Sequence, residues 1–155
     1  MLSDSDSPVV FCHNDILPAN IIYDESEQEI KFIDYEYGCY NYQAFDIGNH
    51  FNEYAGIVDF DESYLPDKEH QIKWIREYLK FYRHFTENSN STKIDECNVD
   101  KLYIQVNQFA ACSHLLWGIW CLTQYQFSTH EFDYWQFGRQ RLGLYFKYKE
   151  QFLKQ

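Results

Sequence analysis

The feature of this sequence that most constrains its fold is a change of pattern near Tyr42. Before it, short runs of β-forming residues occur at positions 9–12, 20–23 and 29–35, and the turn-forming stretch DESEQ separates the last two as in a hairpin. After it, apolar residues recur at helical spacing to the end of the chain. The sequence therefore predicts an α+β fold that is mainly α, with a small β region followed by a helical bundle.

Four helical segments follow the β region. The first begins at Tyr42 and runs through FDIGNHFNEYAG, where Gly56 offers a stop. The second covers residues 67–85, with Ile72, Ile75 and Leu79 as its inner stripe, and a polar loop at 86–96 ends it. Residues 98–127 form a long, very apolar helix, and residues 131–153 form a closing one. No boundary between domains is evident.

Composition and charge narrow the class of protein. The 155 residues are 45% hydrophobic and carry a net charge of −11, with no cluster of Lys and Arg. This charge argues against nucleic acid or an anionic membrane as partner and favours a cationic ligand, and no apolar stretch is long enough to span a membrane. Five cysteines without a C-x-x-C pair, and a start without signal-peptide features, predict a cytoplasmic protein.

The stretch VVFCHNDILPAN carries the clearest chemistry. It places His13, Asp15 and Asn20 in the loop between the first two predicted strands. In phosphoryl transfer by kinase-type enzymes, an Asp accepts the proton of the attacking hydroxyl and an Asn a few residues on binds magnesium. A second carboxylate should follow on the next strand pair, and Asp34 ends the run IKFID. An isolated Asp or Asn between strands is more often only turn chemistry, but here three fall in register.

These residues, together with the signature FIDYEYGCYNYQAFDIGNHFNEYAG, make the chain similar to the choline/ethanolamine kinases. That family is a branch of the protein-kinase-like fold shared with aminoglycoside phosphotransferases. The resemblance implies that Asp15 is the catalytic base and that Asn20 and Asp34 bind Mg²⁺. It also implies that Asp46 supports the catalytic loop by accepting hydrogen bonds, while His13 packs the loop.

A small ammonium alcohol needs a nearby carboxylate and aromatic faces for cation–π contact. Trp117 and Trp120 are three residues apart on the long helix and so face the same way. With Tyr37, Glu53 and Phe137, they occupy positions that line the amine pocket in the resembled family. Without that resemblance, the two tryptophans would be read as core. Phe137, where a Tyr is usual, and Val58, at a position that is aromatic in choline kinases, suggest a smaller cage suited to ethanolamine.

The chain has no G-x-G-x-x-G motif and no Walker-type run. We therefore expect residues 1–8 to be a polar lead-in and residues 9–155 to be a C-terminal lobe alone, without the N-terminal lobe that binds ATP. A lobe of this kind is not expected to phosphorylate a substrate at a useful rate by itself, because enzymes of this fold bind ATP between two lobes.

Two function classes stay open. The first is an ethanolamine kinase that uses ATP and Mg²⁺ in the first step of phosphatidylethanolamine synthesis. The second is a non-catalytic lobe that binds an amine or pairs with a kinase chain, as a homodimer or with the missing lobe. Choline kinase and aminoglycoside phosphotransferase rank after these, since the latter shares only the loop motif. Within the family, NHFNEYAG, SHLLWGIW and STHEFDY favour ethanolamine kinase.

Overall fold

The structure, a computed structural model, describes residues 5–87 and 94–152 and confirms the predicted order of a small β region before four helices. The strands are β1 (Val9–Cys12), β2 (Ile21–Asp24), β3 (Glu29–Phe32) and β4 (Cys39–Tyr42), and the helices are α1 (Gln43–Asn52), α2 (Lys68–Glu87), α3 (Glu96–Phe127) and α4 (Tyr134–Phe152). Most of the predicted polar loop at 86–96 and the first half of the lead-in lie outside the described residues; Thr86 and Glu87 still belong to α2.

The strands form two antiparallel pairs. β2 and β3 make the predicted hairpin, with Ile21 opposite Phe32. β1 pairs instead with β4, a strand that the sequence reading missed, and Val9 lies opposite Tyr42. The third predicted strand was too long at its end, because β3 stops at Phe32 and Asp34 adopts a left-handed backbone with φ of 62°. The β1–β4 pair holds the start of the loop at residues 13–20, and the hairpin follows its end.

The core lies between α1, α2 and α3. Phe45, Phe51 and Val106 are buried in it, and Ile75 of the predicted α2 stripe is fully buried. α1 lies very close to α3 at Gly48, where a Cβ atom would be 2.5 Å from the carbonyl oxygen of Val106. Only glycine permits this approach, and it brings the polar side chains of α1 within hydrogen-bonding reach of α3.

α3 and α4 pack against each other along much of their length. They approach closely at a pair of glycines, since a Cβ on Gly138 would be 3.3 Å from the carbonyl oxygen of Gly118. Within the described ranges, no helix combines the length and apolarity needed to cross a bilayer.

Candidate active site

The loop after β1 is held by Asp46, which lies in the first turn of α1. Its two carboxylate oxygens accept hydrogen bonds from the backbone N–H of His13 at 2.9 Å and of Asn14 at 2.7 Å. These are the contacts that the resemblance led us to expect. Asn14 adopts a left-handed backbone, with φ of 65°, a conformation that Asn tolerates better than most residues. Two charge-assisted bonds therefore fix the backbone immediately before Asp15.

His13 is buried and joins the loop to the hairpin. Its Nε2 lies 2.9 Å from the carbonyl oxygen of Ile33, and its Nδ1 accepts the backbone N–H of Asp15 at 3.3 Å. Both ring nitrogens are thus engaged by backbone groups. This arrangement suits a packing residue between the Asp15 and Asp34 segments and leaves no nitrogen for proton transfer to a substrate.

Asp15 and Asn20 face each other across the loop. The Nδ2 of Asn20 donates to the carbonyl oxygen of Asp15 at 2.9 Å and to its carboxylate Oδ2 at 3.0 Å. Because these two bonds use both amide hydrogens, the Oδ1 of Asn20 is the atom left for a metal ion. A short 3-10 turn at Pro18–Asn20 brings the chain back to make this contact.

Asp34 lies beside Asn20. The backbone N–H of Ile33 donates to the carbonyl oxygen of Asn20 at 3.1 Å. This bond joins Asn20 to the residue before Asp34, so the two candidate metal ligands come from neighbouring parts of the backbone. An amide oxygen and an exposed carboxylate are hard donors that fit Mg²⁺, which usually keeps water and phosphate oxygens as its other ligands. Among the described residues, no group of three or more His, Cys, Asp or Glu side chains could hold a metal. Asn20 and Asp34 supply two hard oxygen donors, a set that fits a Mg²⁺ ion whose other ligands are water and phosphate oxygens.

The surroundings of Asp15 favour its use as a base near neutral pH. Burial raises the pKa of Asp15 to about 6, and the negative charges of Glu53 and Asp34 act in the same direction. The hydrogen bond from Asn20 opposes these effects. A carboxylate with a pKa of about 6 remains mostly ionised at pH 7, and it is a stronger proton acceptor than an ordinary Asp.

A cavity of about 280 Å³ opens beside Asp15. Each residue predicted to bind the substrate lines it, and these are Tyr37, Glu53, Trp117, Trp120 and Phe137. The sequence reading missed further lining residues, among them Glu36, Phe132, Tyr134 and Arg141. The candidate base and the candidate amine site therefore share one cavity, although their residues come from segments more than 100 positions apart.

Aromatic rings form much of the cavity wall. Trp117 lies edge-on to Tyr37, with ring centroids 5.1 Å apart, and edge-on to Trp120 at 5.5 Å. Trp120 in turn contacts Tyr134 at 5.8 Å, and Phe132 contacts Phe137 at 5.6 Å. Aromatic faces grouped around a cavity that also contains carboxylates suit a small organic cation.

Glu53 is not a free carboxylate. Its Oε1 accepts a hydrogen bond from Nη1 of Arg141 at 2.9 Å, and both side chains are buried. This ion pair partly offsets the charge of Glu53, and the other acidic residues that line the cavity are Asp15 and Glu36. Arg141 lies four residues after Phe137 on α4, so helical spacing puts both side chains on one face, and the guanidinium is 5.7 Å from that ring. This spacing does not identify Glu53 as the partner of Arg141.

A larger cavity of about 420 Å³ lies on the other side of the loop, between β1, the hairpin and α2. Its lining is mostly aliphatic and aromatic, and the carboxylate of Asp46 that reaches it is already bonded to the loop. Asp15 does not line it, so the smaller cavity is the candidate active site.

Comparison with known proteins shows which family this chain resembles. The sequence profile of choline/ethanolamine kinases matches residues 1–146. The chain is 52% identical to ethanolamine kinase 1 of Homo sapiens over 149 residues, which are 96% of this chain and 32% of that protein. It is 47% identical to the ethanolamine kinase of Drosophila melanogaster over 148 residues, 96% of this chain and 27% of that protein. The chain thus spans about a third of the length of these relatives.

Among solved structures, the ethanolamine kinase of Plasmodium vivax superposes with a TM-score of 0.75 and 37% identity, covering 90% of this chain and 34% of that one. A choline kinase of Cryptosporidium parvum has the same fold, with a TM-score of 0.72, 24% identity, and coverage of 94% of this chain and 40% of that one. The profile match extends over nearly the whole sequence. This chain therefore belongs to the choline/ethanolamine kinase family.

Proposed function

We propose that these residues form the substrate-binding and catalytic part of an ethanolamine kinase, which transfers the γ-phosphoryl group of ATP to the hydroxyl of ethanolamine. This reaction is the first step of phosphatidylethanolamine synthesis. One observation carries the proposal: Asp15 lines the same cavity as Trp117 and Trp120. A cation held by the aromatic wall would place its hydroxyl near a base.

Asp15 accepts the hydroxyl proton as the oxygen attacks phosphorus. Its bonds from Asn20 keep the carboxylate oriented, and its pKa of about 6 keeps it ionised at neutral pH. His13 and Asp46 contribute by holding the loop rigid rather than by touching the substrate. Catalysis of this kind depends mainly on positioning and electrostatics, so the precision of the loop matters more than the number of acid–base groups.

The Oδ1 of Asn20 and the carboxylate of Asp34 would hold Mg²⁺. When bound with ATP, the ion neutralises charge on the phosphates. Asn20 and Asp34 lie next to the two ends of the hairpin, and Asn20 contacts Asp15 directly, so we assign the phosphate end of the reaction to this side of Asp15.

The primary ammonium of ethanolamine fits better than a trimethylated one. The human and Drosophila proteins compared above are named ethanolamine kinases, and this chain is about half identical to the human one. Val58 is 84% exposed and lines a neighbouring, more open cavity rather than the one beside Asp15. Val58 is therefore not part of the aromatic wall, contrary to the expectation from the sequence, and the preference for ethanolamine rests on the similarity to ethanolamine kinases.

A segment-exchange protein tests this function. This chain replaces the matching segment of human ethanolamine kinase 1, and ethanolamine-dependent ADP release is measured with and without Asp15→Asn. We expect turnover within about tenfold of the human enzyme, and a loss of at least about a hundredfold in kcat on Asp15→Asn with the fold intact. Ethanolamine binding without turnover in the exchange protein would instead favour a non-catalytic amine-binding lobe. Near-full turnover of the Asp15→Asn variant would refute the assignment of the base.

The same proposal places the protein in the cytoplasm. All five cysteines are free thiols. Cys12 and Cys39 lie opposite each other in the β1–β4 pair and do not form a disulfide. Unpaired facing cysteines are typical of a reducing compartment.

A further inference from the structure

We propose that Asn49 is a positioning residue that couples the wall of the amine cavity to the loop that carries Asp15. This inference rests on the function proposed above. Asn49 stands in the middle of the signature FDIGNHF, yet it does not line the cavity and has no part in the chemistry described so far.

The side chain of Asn49 is fully buried and bonded on both sides. Its Nδ2 donates to the carbonyl oxygen of Asn14 at 3.0 Å. Its Oδ1 accepts hydrogen bonds from Nε1 of Trp117 at 2.7 Å and from Oγ of Ser113 at 2.6 Å. One amide group therefore joins the indole of a cavity wall residue to the catalytic loop.

The bond to Asn14 acts directly on Asp15. The carbonyl group of Asn14 and the N–H of Asp15 belong to one planar peptide unit, so a group that holds the carbonyl also fixes the direction of the Asp15 backbone. The other end of this unit is held by His13, whose Nδ1 accepts the Asp15 N–H. Without Asn49, the carbonyl of Asn14 would lose this partner, and the peptide unit would be held at one end only.

The network continues to the ion pair of the cavity. Ser113 Oγ, which donates to Asn49, lies 3.2 Å from Nη2 of Arg141, and Arg141 binds Glu53. Two separate parts of the cavity wall, the Trp117 indole and the Glu53–Arg141 pair, thus converge on Asn49. A displacement of either is transmitted to the loop through bonds of 2.6–3.2 Å.

A purely structural role is the alternative, because buried amides often serve only to join helices. The chain offers a matched control in Asn52, one turn further along α1. Asn52 is also buried, and its Nδ2 donates to the carbonyl oxygen of Ala110 at 2.9 Å and to Ser113 Oγ at 3.2 Å. It joins the same two helices and shares the Ser113 hydroxyl with Asn49, but it has no bond to the loop or to Trp117, so the pair isolates the loop contact.

The experiment compares Asn49→Asp with Asn52→Asp in the segment-exchange protein. Asn49→Asp keeps the oxygen that faces Trp117 and Ser113 but replaces the donor to Asn14 with an acceptor, while Asn52→Asp makes the same change without a loop contact. We expect Asn49→Asp to lower kcat by about 10- to 100-fold with the KM for ethanolamine within about threefold of the parent. Asn52→Asp should show a similar loss of thermal stability, with kcat within about threefold of the parent.

Equal losses of kcat in the two variants, or a change confined to KM in Asn49→Asp, would overturn the inference while leaving the proposed function in place. An inactive parent protein would instead overturn the proposed function, and this inference with it. If Asn49→Asp does not fold, Trp117→Phe removes the indole N–H that donates to Asn49 and keeps a smaller aromatic ring in the cavity wall. A fall in kcat then supports the coupling, and an effect on KM alone refutes it.

Discussion

Breaking the buried ion pair between Arg141 and Glu53 should remove much of the stability of this protein. The charged groups are 2.9 Å apart, and only 1% and 6% of the two side chains are exposed, so both charges are shielded from water. Removal of one partner from such a pair costs about 3–5 kcal/mol, because the other charge is left buried and uncompensated. A domain of ordinary stability has only about 5–15 kcal/mol in total.

We therefore expect Arg141→Met, which keeps much of the side-chain volume, to lower the free energy of unfolding by about 3–5 kcal/mol. Urea unfolding of the 155-residue chain, followed by tryptophan fluorescence, measures the change as a shift in midpoint at constant slope. The double variant Glu53→Gln/Arg141→Met removes both charges and should recover at least about half of the loss.

The exposed pair of Arg76 and Glu96 provides the control. Its groups are 2.7 Å apart, closer than in the buried pair, but the side chains are 35% and 65% exposed. Arg76→Met should therefore change stability little, since water and salt screen this pair. An equal loss in Arg76→Met and Arg141→Met, or a double variant as unstable as Arg141→Met alone, would refute the reasoning from burial.

Three further predictions follow from the site and the packing. In the segment-exchange protein, kcat/KM for ethanolamine should fall as the pH drops below about 6, because protonated Asp15 cannot accept the hydroxyl proton. A kcat/KM that stays constant down to about pH 5 would contradict this. Trp120→Ala should raise the KM for ethanolamine by about 5- to 30-fold in steady-state kinetics and leave the KM for ATP nearly unchanged. Trp135 lies outside the cavity, so Trp135→Ala should change neither of the two KM values. Gly48→Ala should cost about 1–3 kcal/mol in urea unfolding because backbone atoms of α3 block the new methyl group. Gly143→Ala, with nothing within 4 Å, should be neutral or stabilising, and equal effects of the two would refute the close-packing argument.

The order of elements could be predicted from the sequence because it depends on local periodicity. The hairpin of β2 and β3 closes within a few residues, and the helices repeat their apolar residues every turn, so both are visible in short windows. β4 was missed because its pairing is not local. Its partner β1 lies about 30 residues earlier, and the stretch CYNY carries no turn signal that would join the two.

The grouping of the candidate site residues could be predicted, but their electrostatics could not. The resemblance to a family indicated the pocket residues, and Asp15 lines one cavity with Tyr37, Trp117, Trp120 and Phe137, while their roles stay a prediction. The partner of Glu53 was not foreseen, because Arg141 is 88 positions away and only the packing of α4 brings it there. The role argued for Asn49 was hidden for the same reason, since its three partners lie on the loop and on α3.

Product identity tests the central claim most directly. The segment-exchange protein is given ATP, Mg²⁺ and equal concentrations of ethanolamine and choline, and the phosphorylated products are quantified by ³¹P NMR. The account predicts that phosphoethanolamine is the main product and that Asp15→Asn abolishes it within the detection limit. A predominance of phosphocholine would contradict the assigned substrate, and the same amount of product from the Asp15→Asn variant would contradict the assigned site.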